Sequence, residues 1–213
     1  MRIINMHNSI VFLFLGVIFI SLNCKEKEAQ HINFKNGDII FQTSQSEQSE
    51  AIKLATHSKF SHCGILFIEK GRTYVYEAVQ PVKMTLLEDW ISRGKEGKYV
   101  VKRLKSADTI LTKKVLEKMK SYGMTMRNKD YDLYFEWSDA KIYCSELVWK
   151  IYKYGAHIEL CKTKKLKDFN LKNPVVKNIM TERYGNNIPL NEIVVAPSQL
   201  YESKMVVTIF NNF

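Results

Sequence analysis

Two short apolar stretches, His62 to Glu69 and Thr73 to Gln80, flank Lys70-Gly71, and this arrangement constrains the chain most. A polar residue followed by glycine between two strand-like runs reads as a β-hairpin. Helix-like segments lie on both sides. Ala51, Ile52, Leu54 and Ala55 suit about two helical turns over 49–55. Thr85 with Glu88 forms a capping box for a helix that buries Leu86, Leu87, Trp90 and Ile91 and stops at Gly94. Asp108 caps a longer helix with Ile110, Leu111, Val115, Leu116 and Met119 inward, ending at Gly123. Lys141 to Tyr154 reads as a second strong helix. Further strands are expected at Ile39 to Phe41, Lys98 to Leu104 and Lys204 to Phe210, and the tail from 156 reads as basic and irregular. Such mixing excludes all-helical and all-β classes and gives a single α+β domain over 36–213.

The hairpin also sets side-chain geometry. If the turn is centred on Lys70-Gly71, by a two- or four-residue loop, paired residues sum to 141, and His62 and Glu77 share one face as diagonal neighbours ~7 Å apart. A loop of odd length sends Glu77 to the other face. A carboxylate beside His62 would hold the imidazole in one tautomer while its other nitrogen faces a thiol. The residues alone also allow, and slightly favour, Glu77 as an exposed strand residue and His62 as a hydrogen-bonded strand start.

The thiol with a suitable setting is Cys144. It opens the helix YCSELVWKIYKY after a polar loop, and a thiolate is favoured at a helix amino terminus beside an imidazolium. A small hydrophobe in a helix is the plainer alternative. Cys161 lies in a lysine-rich loop. Cys63 lies inside the histidine strand, facing away from His62. Of the five histidines, His7 belongs to the leader, His31 to a polar tether and His157 to the basic tail. No C-x-x-C, no H-E-x-x-H and no glycine-rich phosphate loop is present, so no metal, nucleotide or other cofactor is expected.

Residues 10–20, IVFLFLGVIFI, are about half the length of a spanning helix and end four residues before Cys24. They read as an export signal of the bacterial lipoprotein kind over 1–23, with Cys24 the lipidated first residue and 24–35 a tether. The protein is thus expected in the bacterial cell envelope, anchored to membrane through Cys24. The net charge of +10 becomes +9 without the leader's one arginine. For an exported protein it points to anionic envelope surfaces or plain solubility, and not to nucleic acid. Oligomeric state is not legible.

Several segments together resemble the YiiX/YebB-type permuted papain-like hydrolases of the NlpC superfamily. They are Gly37-Asp38-Ile39-Ile40-Phe41, Ile52-Lys53-Leu54-Ala55-Thr56, Ser61-His62-Cys63-Gly64-Ile65, Tyr76-Glu77-Ala78-Val79-Gln80-Pro81-Val82, Tyr99-Val100-Val101-Lys102-Arg103-Leu104, Tyr131 to Ser138 and Tyr143 to Lys150. In that circularly permuted branch the histidine strand precedes the cysteine helix, as it does here. The resemblance implies a papain-like fold, a curved antiparallel sheet packed on the cysteine helix. It makes Cys144 the nucleophile, His62 the base and Glu77 the third polar residue. It also implies acyl transfer through a thioester on a small peptide amide of the cell wall, with Tyr131, Asp132 and Tyr143 reading the substrate. Lipid acyl hydrolysis or transfer at the same site, and ligand binding without turnover, are the alternatives. The family usually has an apolar residue at Cys63, which here offers a thiol to oxidation.

Overall fold

The computed structural model describes residues 32–213; the leader, Cys24 and the tether up to His31 lie outside the described residues. Strand β1 (Ile39–Ser44) leads into helix α1 (Glu47–Thr56), and the hairpin follows as β2 (His62–Glu69) and β3 (Arg72–Glu77). Next come β4 (Lys83–Leu86), the short α2 (Leu87–Ser92), and β5 (Gly94–Leu104). Helices α3 (Ala107–Ile110), α4 (Lys113–Met124) and α5 (Cys144–Lys150) complete the middle of the chain, α5 running on as a π-helical turn, Ile151–Gly155. The last third holds β6 (Lys164–Lys165), α6 (Pro174–Tyr184), β7 (Ile193–Val194), α7 (Pro197–Tyr201) and β8 (Val206–Asn211).

Six strands form one sheet in the order β4-β3-β2-β1-β5-β8, every pair antiparallel, while β6 and β7 pair separately. The hairpin has the register expected from its turn: Ile65 faces Tyr76 and Glu69 faces Arg72, each pair summing to 141. The two turn residues, Lys70 at φ 48° and Gly71 at φ 76°, are both left-handed, as a tight two-residue hairpin requires. Further along, Gly64 lets the strands approach closely. A Cβ there would sit 2.4 Å from Val75 Cγ1 and 2.9 Å from the Tyr76 carbonyl oxygen.

Alternation along the strands gives two buried faces. Phe41, Cys63, Ile65, Tyr76 and Val100 pack against Leu147, Val148 and Ile151 of the α5 region. Ile40, Leu66, Val75 and Val101 pack on the other side with Leu87 and Trp90. A third cluster joins Ala51 of α1 to Leu166, Val176 and Met180, bringing the tail helix onto the front of the molecule.

Four expectations are corrected. Thr85 and Glu88 form no capping box: α2 starts at Leu87 behind Leu86, without a side-chain cap, and Thr85 belongs to β4 opposite Val75. Tertiary pairing with β3 overrides the local T-x-x-E signal. Gly94 does not end that helix, which stops at Ser92, but begins β5. The helix assigned to start at Asp108 is two. Leu111 interrupts it, Thr112 caps α4 by accepting from Val115 N–H at 3.4 Å, and the Asp108 carboxylate pairs with Lys35. The tail, finally, is ordered as α6, α7 and two strand pairings.

Candidate active site

His62 opens β2 and Glu77 closes β3, so the hairpin register alone puts them on one face. His62 Nε2 lies 2.6 Å from Glu77 Oε2. The other carboxylate oxygen accepts from Thr85 Oγ1 at 2.6 Å and from Arg93 Nη2. Thr85 reaches Glu77 because it stands two positions beyond Lys83, the residue paired with Glu77 across β3 and β4. Trp90 stacks on the imidazole at 5.9 Å between centroids. Burial alone would raise the Glu77 carboxyl, but the bond and charge of His62, with Thr85 and Arg93, hold it down at about 2. With Nε2 on Glu77, Nδ1 is the ring nitrogen left for a thiol.

Cys144 is the first residue of α5, behind Tyr143 as N-cap, and it is buried. Its thiol is held well below the ordinary cysteine value. A hydrogen bond from the Cys63 thiol does most, burial opposes, and the His62 bond and charge and the Cys63 backbone N–H add to the lowering. His62 is pushed up to about 10. Burial works against that rise, and the bonds and charges of Cys144 and Glu77 outweigh it. These opposite directions describe a thiolate beside an imidazolium.

Cys63 faces away from His62, as the alternation predicts, and that face is the core face on which α5 packs, with Cys63 and Cys144 in one cluster. Burial and the neighbouring Cys144 charge push the Cys63 thiol well up, so it stays protonated and acts as donor. Cys63, Cys144 and Cys161 are all free thiols.

The aromatic loop lies beside Cys144. Tyr131 forms a parallel bridge with Ile142, two residues before Cys144, and its hydroxyl accepts from Gln48 Nε2 at 3.0 Å. Asp132 differs from expectation. It is buried, and its two oxygens accept the backbone N–H groups of Tyr134 (2.8 Å) and Glu136 (2.6 Å), so it shapes the loop and presents no free carboxylate. Tyr143 is buried too, its hydroxyl accepting from Val195 N–H at 3.1 Å. The buried Lys150 ties the loop to α5, donating to Ser138 O and Asp139 Oδ1 at 3.1 and 2.8 Å and pairing with Glu146 at 2.7 Å. From Cys144 a cleft runs between α1 and α6, walled by apolar residues that include Ile52, Phe135, Tyr143, Val176 and Met180, with Gln48 and Arg183 among its few polar groups.

This order of strand, helix and side chains meets its counterpart in the comparisons. The family described as permuted papain-like amidase enzyme, YaeF/YiiX, matches residues 33–210. The chain belongs to this family. It is 44% identical over 175 residues to the uncharacterized protein YiiX of Escherichia coli (strain K12), covering 82% of this chain and 85% of that one. A crystal structure described as metalloprotein yiiX from Escherichia coli O157:H7 superposes with a TM-score of 0.80 at 44% identity, covering 84% of this chain and 98% of that one. The fold is therefore papain-like α+β in its permuted form, and the family is one of amidases. Among the described residues no group of three or more His, Cys, Asp and Glu side chains is placed to hold a metal ion. The donor set does not fit one, and no step below passes through a metal.

Sequence reasoning brought together Cys144, His62, Glu77, Tyr131 and Tyr143 but missed Thr85, Arg93, Gln48 and Arg183. Thr85 had a usable signal, since a strand over 83–86 places it on the Glu77 face. Gln48 and Arg183 had none, because α1 and α6 meet only in the folded chain.

Proposed function

We propose that this protein is a cysteine hydrolase that cleaves an amide through a thioester on Cys144, with the acyl side of its substrate seated in the apolar cleft. The Cys144 thiolate adds to the carbonyl carbon. His62 then gives its proton to the departing amine, leaving an acyl thioester, and water attacks that thioester with His62 taking the water's proton as the thiolate leaves. Glu77 keeps the imidazole oriented and favours its charged form. The backbone N–H of Cys144, which has no acceptor inside the helix, and the Tyr131 hydroxyl serve as oxyanion donors. The observation that carries this reading is the Cys144–His62–Glu77 alignment at the mouth of an apolar cleft.

The cleft's lining favours a hydrophobic acyl group over the polar stem of a cell-wall peptide, because polar substrate groups buried there would lose their water without partners. A peptide amide remains the second reading, supported by the amidase family. A thiol-directed activity probe should label Cys144, and the label should be lost in His62→Ala; failure to label would leave a binding protein. Incubation with N-acyl amides, phospholipid vesicles and muropeptides in parallel, followed by mass spectrometry, should show release from the first. Release from muropeptides alone would overturn the acyl assignment, and release from the vesicles alone would move the reaction to lipid ester. We also propose an envelope location with Cys24 acylated, on the strength of the apolar run before it. Intact mass of the mature amino terminus tests this, and an unmodified Cys24 would refute it.

A further inference from the structure

From Tyr131, hydrogen bonds run on through two side chains far apart in the chain. Gln48, in the first turn of α1, donates from Nε2 to Tyr131 Oη at 3.0 Å, and its Oε1 accepts from Arg183 Nη2 of α6 at 2.9 Å. Arg183 is itself fixed, donating from Nη1 to Leu133 O at 2.7 Å and lying over the Phe135 ring at 5.7 Å. The neighbouring Tyr184 donates to Tyr134 O, so α6 grips the same loop that carries Tyr131.

Donor and acceptor chemistry gives this chain a direction. A guanidinium has only donors, so it must face the amide oxygen of Gln48. The amide nitrogen is then turned to Tyr131, and because it too only donates, the phenol oxygen must accept. The single phenol hydrogen is thereby left for another acceptor, and Cys144, two residues beyond the Ile142 that bridges to Tyr131, is the charged neighbour on that side. Each link donates toward Cys144, with a permanent positive charge at the far end. Burial, joined by the nearby Cys144 and Cys63, keeps the Tyr131 phenol protonated, so the hydrogen it offers is not lost near neutral pH.

We propose that Gln48 and Arg183 are positioning residues of the hydrolytic site: they turn the Tyr131 hydroxyl toward Cys144, where it donates to the thiolate at rest and to the oxyanion during acyl transfer. The tail helix α6 thereby completes the active site. This inference rests on Cys144 being the nucleophile.

The test titrates Cys144 in the full chain by the pH dependence of its alkylation with iodoacetamide, read by mass spectrometry on the Cys144 peptide so that Cys63 and Cys161 do not intrude. Gln48→Glu is nearly isosteric and reverses the middle link, since a carboxylate accepts from both Arg183 and Tyr131. Its midpoint should rise by about one pH unit, the range in which a lost hydrogen bond to the charged form acts. Tyr131→Phe should give a similar rise, and Gln48→Glu in the Tyr131→Phe background should add little. Arg183→Met should raise the midpoint by about half a unit, with Arg183→Lys recovering most of it. An unmoved midpoint in Gln48→Glu or Arg183→Met overturns the proposal. So does an undiminished Gln48→Glu shift without the Tyr131 hydroxyl, which would mark the new charge acting through space. A parent protein whose Cys144 titrates like an ordinary thiol overturns the hydrolase reading and this inference with it, whereas a depressed parent midpoint with unmoved variants removes this inference alone.

Discussion

The β2–β3 hairpin and the cleft wall formed by α1 and α6 serve the same thiol by different means. The hairpin joins His62 and Glu77, 15 residues apart, through one tight turn and its register. The opposite wall joins Gln48 and Arg183, 135 residues apart, and it does so only after Ala51, Val176 and Met180 have packed together. The first arrangement is robust to distant changes and sensitive to the strand pairing. The second depends on the closure of a long loop and on apolar burial, so it is sensitive to changes far from the thiol in sequence.

Four experiments would break or sharpen that contrast. The largest effect belongs to the hairpin. His62→Ala, like Cys144→Ala, should lower turnover by ~10³-fold or more with circular dichroism unchanged, since the proton donor or the nucleophile is gone. Residual activity in His62→Ala within tenfold of the parent would contradict its role.

Glu77→Gln should leave a measurable remainder, a loss of ~10- to 100-fold, because Glu77 orients the base and does not react. The same variant should reshape the pH dependence of stability. His62, with its value raised to about 10, stabilises the fold fully below about 6.5, and that contribution is lost as pH climbs through 10. Glu77, lowered to about 2, stabilises above about 4.5 and loses its contribution as pH falls through 2. Melting temperatures against pH should therefore decline at both ends in the parent. In Glu77→Gln the acid-side decline due to this group should vanish, and the alkaline decline should begin lower because His62 has lost a carboxylate partner.

Gly64→Ala tests the close approach of the strands. The added methyl collides with Val75 and the Tyr76 backbone, and it should cost ~1–3 kcal/mol in denaturant unfolding while loosening the His62–Glu77 bond. Stability equal to the parent would show that the strand spacing is not under this constraint. The smallest effect should come from the other wall. Met180→Ala should raise KM for a long-chain N-acyl amide by ~3- to 10-fold, the worth of a methylene or two in an apolar pocket, with kcat nearly unchanged. A loss confined to kcat would show that Met180 supports the chemistry and not the seating of the acyl chain.

The difference between the regions is also the difference between what could and could not be read in advance. The Lys70-Gly71 turn implied the pairing sum that Ile65–Tyr76 and Glu69–Arg72 obey, and hence the shared face of His62 and Glu77. The helix opened by Cys144 was visible as an apolar pattern behind a polar loop. Thr85 misled because T-x-x-E is a local signal and β4 forms by pairing with β3. Asp132 looked like a carboxylate for a ligand, yet two backbone N–H groups occupy it. Cys63 was placed on the correct side of its strand, but nothing in alternation says that α5 covers that side.

What the amino-acid sequence determined by itself is therefore the alternation of strand and helix, the hairpin register, and the order of histidine before cysteine along the chain. These follow from turn geometry and periodicity, which act over a few residues. The tertiary structure decided which face of the sheet meets Cys144, that α6 rather than a loose tail walls the cleft, and that a donor chain from Arg183 reaches Tyr131. Those outcomes depend on apolar surfaces distant in sequence finding one another, and side chains such as Gln48 and Arg183 acquire their partners only once that burial has fixed where their backbones lie.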